Sequence, residues 1–479
     1  MAPSIVWFRR NLRLDDNVPL DAALRGHESV VPVLVLDDQE RDEDVSPPRL
    51  RFLAESLREL EGELAARGSR LLVRCGPAGP ALAALARETG ADTVYGHDDH
   101  EPHGRALARE VEAALAPQGT RLRLLPDLHL VSPGSLRTDS GRPYTVFTPF
   151  LKRWREADKA APRPTPPRVP TPDAVLARTF LSIPLSRPRV LRATGAPANP
   201  PGGAREARRL WDRFRRTALV RYAGDRDLPA APGTSRLSPH LRFGTLGVRR
   251  LLAEARDAWK EADAAGRASI DVFVSELAWR EFYASILAEH PRVLTQSFRP
   301  EFDRFPWVAE EEAEERFRAW RDGRTGYPIV DAGMRQLAHE GWMHNRVRMI
   351  VASFLTKHLL VDWRRGEALF RARLADGDPA SNNGGWQWSA GCGTDAQPFF
   401  RIFNPVLQGE RFDPDGAYVR RWVPELSAWK GAGRNLHAPW RATSPPADYP
   451  APVVDHATAR ARALAAFDAI RGAPGSPRR

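Results

Sequence analysis

Short apolar runs alternate with stretches of helical spacing through the first 130 residues. The runs Ser4–Phe8, Val30–Leu36, Arg70–Arg74, Thr93–Gly96 and Arg121–Leu125 are rich in Val, Ile and Leu and predict strands. Between them Leu53, Leu57, Leu60 and Leu64 recur on one helix face, and Ala81–Glu88 and Arg105–Leu115 read as further helices. Such alternation predicts a parallel sheet covered on both faces, with ligands outside the carboxyl ends of its strands. Arg9-Arg10-Asn11-Leu12-Arg13 follows the first strand where a dinucleotide-binding dehydrogenase would carry GxGxxG, so that class is disfavoured.

Prolines then crowd the chain (Pro162, Pro164, Pro166, Pro167, Pro170, Pro172, later Pro200 and Pro201), as in a semi-extended connector. Beyond Gly202-Gly203 the pattern is helical. Ala207, Leu210, Trp211 and Phe214 form one apolar stripe, and further helices are predicted over 268–288, 329–338 and 345–360. The expected organisation is an α/β domain with a Rossmann-like, five-stranded parallel sheet over 1–130, a Pro-rich linker over 131–204, an all-α domain over 205–472 and a frayed tail over 473–479.

Composition narrows the class. Of 479 residues, 42% are hydrophobic and 27% charged, which excludes disordered and collagen-like chains. Two cysteines, Cys75 and Cys392, leave neither a disulfide framework nor a cysteine zinc site. No apolar run approaches the ~18 residues that span a bilayer and no signal segment is visible, so a cytoplasmic protein is expected. The net charge of +11 suits a polyanion. Only five of the 71 cations are lysine, however, a skew that a GC-rich genome also produces, so charge alone is weak evidence for DNA.

Tryptophan is more informative: twelve of the 14 lie between Trp211 and Trp440. Most such residues fill cores. Yet Asp376-Gly377-Asp378-Pro379-Ala380-Ser381-Asn382-Asn383-Gly384-Gly385-Trp386-Gln387-Trp388 joins two carboxylates and two amides to two indoles, a set that burial would leave without partners unless a heteroaromatic ligand supplied them. Gly233-Thr234-Ser235-Arg236-Leu237-Ser238-Pro239-His240-Leu241 offers hydroxyls and an arginine before a helix, which suits a phosphate or a plain capping box equally. Glu276, Arg280 and Tyr283 share one helix side with Trp279 beside them, and Asn345, Arg348 and Met349 share another. A solvated charged face explains either cluster alone, but four clusters in one domain strain that account.

The strings over 376–388 and 233–241, with Glu276-Leu277-Ala278-Trp279-Arg280-Glu281-Phe282-Tyr283, Gly341-Trp342-Met343-His344-Asn345-Arg346-Val347-Arg348-Met349, Thr325-Gly326-Tyr327-Pro328-Ile329-Val330-Asp331 and Arg401-Ile402-Phe403-Asn404-Pro405, resemble the flavin domain of the photolyase/cryptochrome family. Val6-Trp7-Phe8-Arg9-Arg10-Asn11-Leu12-Arg13-Leu14-Asp15-Asp16-Asn17 resembles the start of its α/β domain. The resemblance covers almost the whole chain and is nearest to class I cyclobutane pyrimidine dimer photolyases. It implies light-driven DNA repair by a non-covalent FAD in its reduced, anionic form. Tyr222 and Thr234, Ser235, Arg236, Leu237 and Ser238 would hold the phosphates and ribose. Arg280, Arg348, Asp376, Gly377 and Asp378 would line the flavin, and Asn382 would face its N5 edge. A guanidinium such as Arg348 suits an anionic ring, with Asp376 orienting it.

The resemblance also separates subtypes. Plant cryptochromes carry an acid where Asn382 stands, so repair is favoured over the alternative of a cryptochrome-like photoreceptor. Photolyases of the (6-4) lesion carry histidines where Asn345 and Met349 stand, and neither residue transfers a proton near pH 7. By resemblance Glu276 bonds the dimer, Trp279 and Trp388 pack its faces, and Arg226, Tyr283, Asn345, Arg346, Met349 and Gln408 meet lesion or strand. The lesion would be flipped from the duplex, as photolyases do. Trp386, Trp363 and Trp307 match the family's electron relay. Asp99-His100-Glu101-Pro102-His103-Gly104-Arg105 resembles the 8-hydroxy-5-deazaflavin antenna type rather than the methenyltetrahydrofolate type, with Asp37, Arg49, Asp99, Glu101 and Arg242 in that pocket. His103 stands where this motif has an aromatic, and Arg242 where it has lysine. The partner implied is UV-damaged DNA. Neither a metal nor a membrane is expected, and the chain is expected to be a monomer.

Overall fold

The computed structural model describes residues 2–36, 47–177, 201–396, 398, 399 and 401–471. Its strands are Ser4–Phe8 (β1), Val30–Leu36 (β2), Leu72–Cys75 (β3), Thr93–His97 (β4) and Arg121–Leu125 (β5). All pair in parallel in the order β3-β2-β1-β4-β5, with Ser4 opposite both Val30 and Thr93. The period-two alternation of a strand sends Val6 and Phe8 to one face and Ile5 and Trp7 to the other. Val6 and Phe8 pack with helices Val18–Gly26 and Pro47–Ala65, Ile5 and Trp7 with Ala78–Thr89 and Pro102–Leu115. The third strand begins two residues later than its apolar run suggested. Helix Val18–Gly26 was not anticipated; Asn17 caps it, accepting from the Leu20 amide at 3.0 Å.

The predicted linker is more structured than its prolines suggested. Helix Phe147–Glu156 lies inside it and buries Phe147, Phe150 and Trp154 in a core with Trp211, Phe214, Phe273 and Phe282. The extended stretch after it docks on the sheet domain, where the Val30 amide donates to the Pro170 carbonyl and the Val169 amide to that of Arg67. Apolar side chains thus override the Pro signal over 147–156, while 163–171 is bound rather than free. Residues 178–200, Asp37 and the tail 473–479 lie outside the described residues.

The helical domain is built around Ala264–Glu289, which packs against Pro379–Ala390, with Pro328–Glu340, Asn345–Ser353 and Trp363–Arg373 beside them. The helix expected over 345–360 ends at Ser353. It widens into a π turn over Phe354–His358, and Leu360 then takes a left-handed φ of 53°. Among the described residues of this domain two large apolar cores result, one around Trp211 and Phe273, the other around Trp320, Trp363 and Trp386, with a small cluster of Leu287, Val293 and Ala380 besides.

A buried ion cluster fastens the domains together. Arg13 and Arg249 both donate to Asp127, at 2.9 and 2.7 Å, and Arg249 also meets Asp16 at 2.8 Å. All four are at most 5% exposed. Gly244, at φ +62°, permits the close approach: a Cβ there would overlap the Arg10 carbonyl. Among the described residues, no helix is long and apolar enough to cross a membrane.

Candidate functional site

A cavity of about 500 Å³ lies between the two helical cores. Phe273, Leu277 and Leu251 face it from one side, Ala352, Phe370, Leu374 and Trp386 from the other. Of the predicted cofactor residues, Tyr222, Ser235, Leu237, Ser238, Arg280, Arg348, Asp376, Asp378 and Asn382 line it. Thr234, Arg236 and Gly377 do not. Arg236 turns away onto Trp342, and a Cβ on Gly377 would strike the Arg49 guanidinium.

The polar string over 376–388 divides by helix face. Asp378 caps Pro379–Ala390, accepting from the Ser381 amide at 2.8 Å. Asn383 and Gln387, four residues apart, turn into the protein: both donate to the Val293 carbonyl, at 2.8 and 2.9 Å, and Gln387 accepts from the Phe298 amide. Those two amides are latches. Asn382, Gly385, Trp386, Trp388 and Ser389 face the cavity. A Cβ built on Gly385 would meet nothing within 4 Å, so this mid-helix glycine keeps space clear that no protein atom fills.

Charge is distributed unevenly around the wall. Arg348 donates to Asp376 Oδ2 at 2.8 Å and to the Met343 carbonyl, while Asp376 Oδ1 is buried without a protein partner. That orphaned oxygen is an acceptor for a ligand N–H. Arg280 is fixed by the Leu128 carbonyl at 2.8 Å. Burial works against the Asp378 carboxylate, but Arg242 and Arg280 outweigh it and hold that group below the usual carboxylate range. Three guanidiniums, hydroxyls of Ser235 and Ser238, an unpaired carboxylate oxygen and an open glycine together fit a flavin with its phosphates. Sequence reading missed Glu367, which holds the Asn382 amide, and Phe370, whose ring lines the wall; neither stands in a motif.

The predicted lesion residues gather on the same cavity. Arg226, Glu276, Trp279, Tyr283, Asn345, Arg346, Met349 and Trp388 all line it, and Gln408 does not. Glu276 accepts from Arg226 at 2.7 Å, and burial nevertheless raises its pKa. Trp279 is stacked face to face on Phe147, centroids 3.6 Å apart, so the helix inside the linker sets its angle. Arg346 pairs with Asp227 at 2.8 Å and lies over Phe412.

Trp386 and Trp363 are 2% and 1% exposed, and Trp307 is partly buried on the same core. Gly366 abuts the Trp386 ring, and Trp363 lies one turn earlier on that helix. The Val308 amide donates to the Leu360 carbonyl at 3.0 Å, which docks the Trp307 segment beside the start of the helix.

A second charged cluster lies at the seam between the domains. Strand order reverses direction between β1 and β4, the position where open α/β sheets bind ligands. Arg9 and Arg10 leave β1 there and Asp99 and Glu101 leave β4. Arg10 pairs with both acids, Arg9 with Asp99 at 3.2 Å. Arg242, from the helical domain, joins Glu101 and reaches Asp378 at 3.3 Å. Arg49 sits at the same seam, bonded to the Arg371 and Leu374 carbonyls. Four of the five antenna candidates therefore share one seam, and the fifth is Asp37.

Comparison with known proteins places this geometry. Residues 4–171 match the model of DNA photolyase, and residues 273–469 that of the FAD binding domain of DNA photolyase. A deoxyribodipyrimidine photo-lyase of Halobacterium salinarum is 42% identical over 98% of this chain and 99% of its own length. The crystal structure of a bacterial class III photolyase from Agrobacterium tumefaciens aligns with a TM-score of 0.90 and 40% identity, over 99% of this chain and 98% of that one. An archaeal photolyase from Sulfolobus tokodaii with two FAD molecules aligns at TM-score 0.84 and 32% identity, over 98% and 100%. A cavity with polar and apolar walls between two helical cores, an α/β domain docked on a helical one and these matches agree: the chain belongs to the photolyase/cryptochrome family and carries its FAD-binding domain.

Proposed function

We propose that the protein repairs cyclobutane pyrimidine dimers in DNA under light, as a class I enzyme. One observation carries the reading: cofactor-type and lesion-type side chains line a single cavity, with Trp386 and Asn382 on the same helix as Trp388. Bound in its reduced form, FAD supplies the electron whose injection splits the dimer ring. The chain's own residues do the rest. Trp279 and Trp388 offer flat apolar faces to an extruded pyrimidine dimer, Glu276 accepts hydrogen bonds from base N–H groups, and Arg226 keeps that carboxylate in place. Asn345 and Met349 provide no acid, and the cyclobutane lesion needs none. Trp386, Trp363 and Trp307 form a path of oxidisable rings from the interior outward. For the antenna the reading is 8-hydroxy-5-deazaflavin at the seam of Arg49, Asp99, Glu101 and Arg242, supported by the position of Asp99 and Glu101 at the strand-order reversal and by the pairing of Arg242 with Glu101.

The test is loss of thymine dimers from an illuminated oligonucleotide, with Glu276→Ala as control. Wild type should clear dimers only in light. The variant should keep its flavin yet repair about ten- to a hundredfold more slowly, the worth of a charged hydrogen bond. Flavin bands with no light-dependent dimer loss would mean a photoreceptor instead. A strong added band at the visible edge would report the deazaflavin. A folate-like or a second flavin spectrum would replace that antenna.

A further inference from the structure

The turn before helix Ser238–Phe243 carries a strained residue. Arg236 has φ of +55°, the left-handed region that side chains with a Cβ rarely adopt. Ser235, Leu237 and Ser238 around it line the cavity, whereas the Arg236 side chain points the other way. Its guanidinium lies 4.0 Å from the Trp342 ring centroid, and Nη2 donates to Glu340 at 2.6 Å. Glu340, only 4% exposed, also accepts from Gln336 at 3.0 Å, and Gln336 in turn accepts from the Tyr418 hydroxyl at 2.7 Å. A strained backbone persists only where its surroundings over-determine it, and this buried chain of polar contacts does so.

We propose that Arg236 is a positioning residue for the cofactor: it clamps the turn from behind so that Ser235 and Ser238 present their hydroxyls to the cavity. The inference rests on the reading of that cavity as the FAD site. The left-handed turn reverses the chain locally, which is what lets residues on both sides of Arg236 face one ligand. Without the clamp the turn relaxes toward negative φ and Ser235 swings out of the wall. Arg236 itself then makes no contact with the cofactor.

The test uses the full-length protein. FAD dissociation is followed by fluorescence of the released flavin, and the melting temperature of the flavin-free chain by circular dichroism. Arg236→Met keeps a Cβ in the left-handed position but removes the clamp, and Glu340→Gln weakens the clamp from the other end. Each is expected to weaken FAD binding about tenfold while the flavin-free melting temperature stays near wild type. The double variant should be no weaker than the worse single one. Trp342→Leu serves as the second arm where Glu340→Gln fails to fold. Wild-type FAD retention in Arg236→Met would overturn the proposal, as would additive losses from the two positions, which would place Arg236 on the cofactor. Failure of the unaltered protein to take up FAD would instead overturn the cofactor reading beneath it.

Discussion

Asn382 donates its side-chain amide to the Glu367 carboxyl at 2.8 Å and to the Glu367 backbone carbonyl at 3.1 Å. With both contacts on the amide nitrogen, its oxygen is the edge left for the cavity. Glu367 is 5% exposed, so the pair is fixed by burial as well as by bonding.

Removing the acceptor should be costly. Glu367→Ala strands a donor, and urea unfolding should show a loss of about 1–3 kcal/mol, with Glu367→Gln losing less. The pH dependence has a definite sign. Burial raises the Glu367 pKa, against the pull of Arg371 and the Asn382 bond. Its stabilisation is therefore complete below the unfolded carboxyl pKa of about 4.3 and is lost as pH rises through the folded value. Stability-against-pH curves should diverge over that acid window, with the Gln variant flatter.

Gly385→Ala should act in opposite directions on chain and cofactor. The added methyl meets no atom within 4 Å, and alanine is a better helix residue by about 0.5–1 kcal/mol. The flavin-free protein should melt higher while retained flavin absorbance falls, and Gly385→Leu should exclude flavin. Undiminished flavin in the leucine variant would remove this part of the cavity from the cofactor site.

Trp386→Phe tests the relay. Illumination with an external reductant should no longer reduce oxidised FAD, while chemically reduced protein still repairs. Photoreduction at the wild-type rate would mean that electrons reach the site by another route.

Asp127→Ala should be the most damaging single change at the domain junction. It leaves Arg13 and Arg249 buried without their shared carboxylate, a loss of about 3–5 kcal/mol by denaturant titration. Here the sign is opposite to that of Glu367. Burial opposes the charge, but Arg13 and Arg249 lower the Asp127 pKa. Its contribution is present above the unfolded aspartate value and disappears as pH falls through the folded one.

Much of this was legible from residue order alone. Three strands fall on the predicted runs: Ser4–Phe8 and Val30–Leu36 are almost wholly apolar, and Arg121–Leu125 alternates Arg and Leu before Pro126 ends it. The string over 376–388 pointed to a ligand, and half of it does line the cavity. What it concealed was the helix phase that turns Asn383 and Gln387 inward. Helix Val18–Gly26 escaped notice because it is only nine residues long and carries Pro19 as its second residue. The overrun to residue 360 has a different cause: Phe354–Leu360 stays apolar enough for a helix, and only tertiary packing imposes the wider turn. Glu367 was illegible because its partner lies on another helix, 15 positions away. Which way the Arg236 side chain turns was illegible because the sign of φ is not written in the sequence.

The Arg242 bridge constrains how such a protein can be rearranged. This cation belongs to the helical half, yet one of its two carboxylate partners, Glu101, comes from the sheet half. A helical half produced by itself would leave that cation with Asp378 alone, a carboxylate it shares with Arg280 beside the cavity. A chimera with a foreign N-terminal half would inherit the same mismatch unless the donor supplied an acid at the equivalent position. Swapping sheet halves between relatives therefore requires transplanting Arg10, Glu101 and Arg242 as a set.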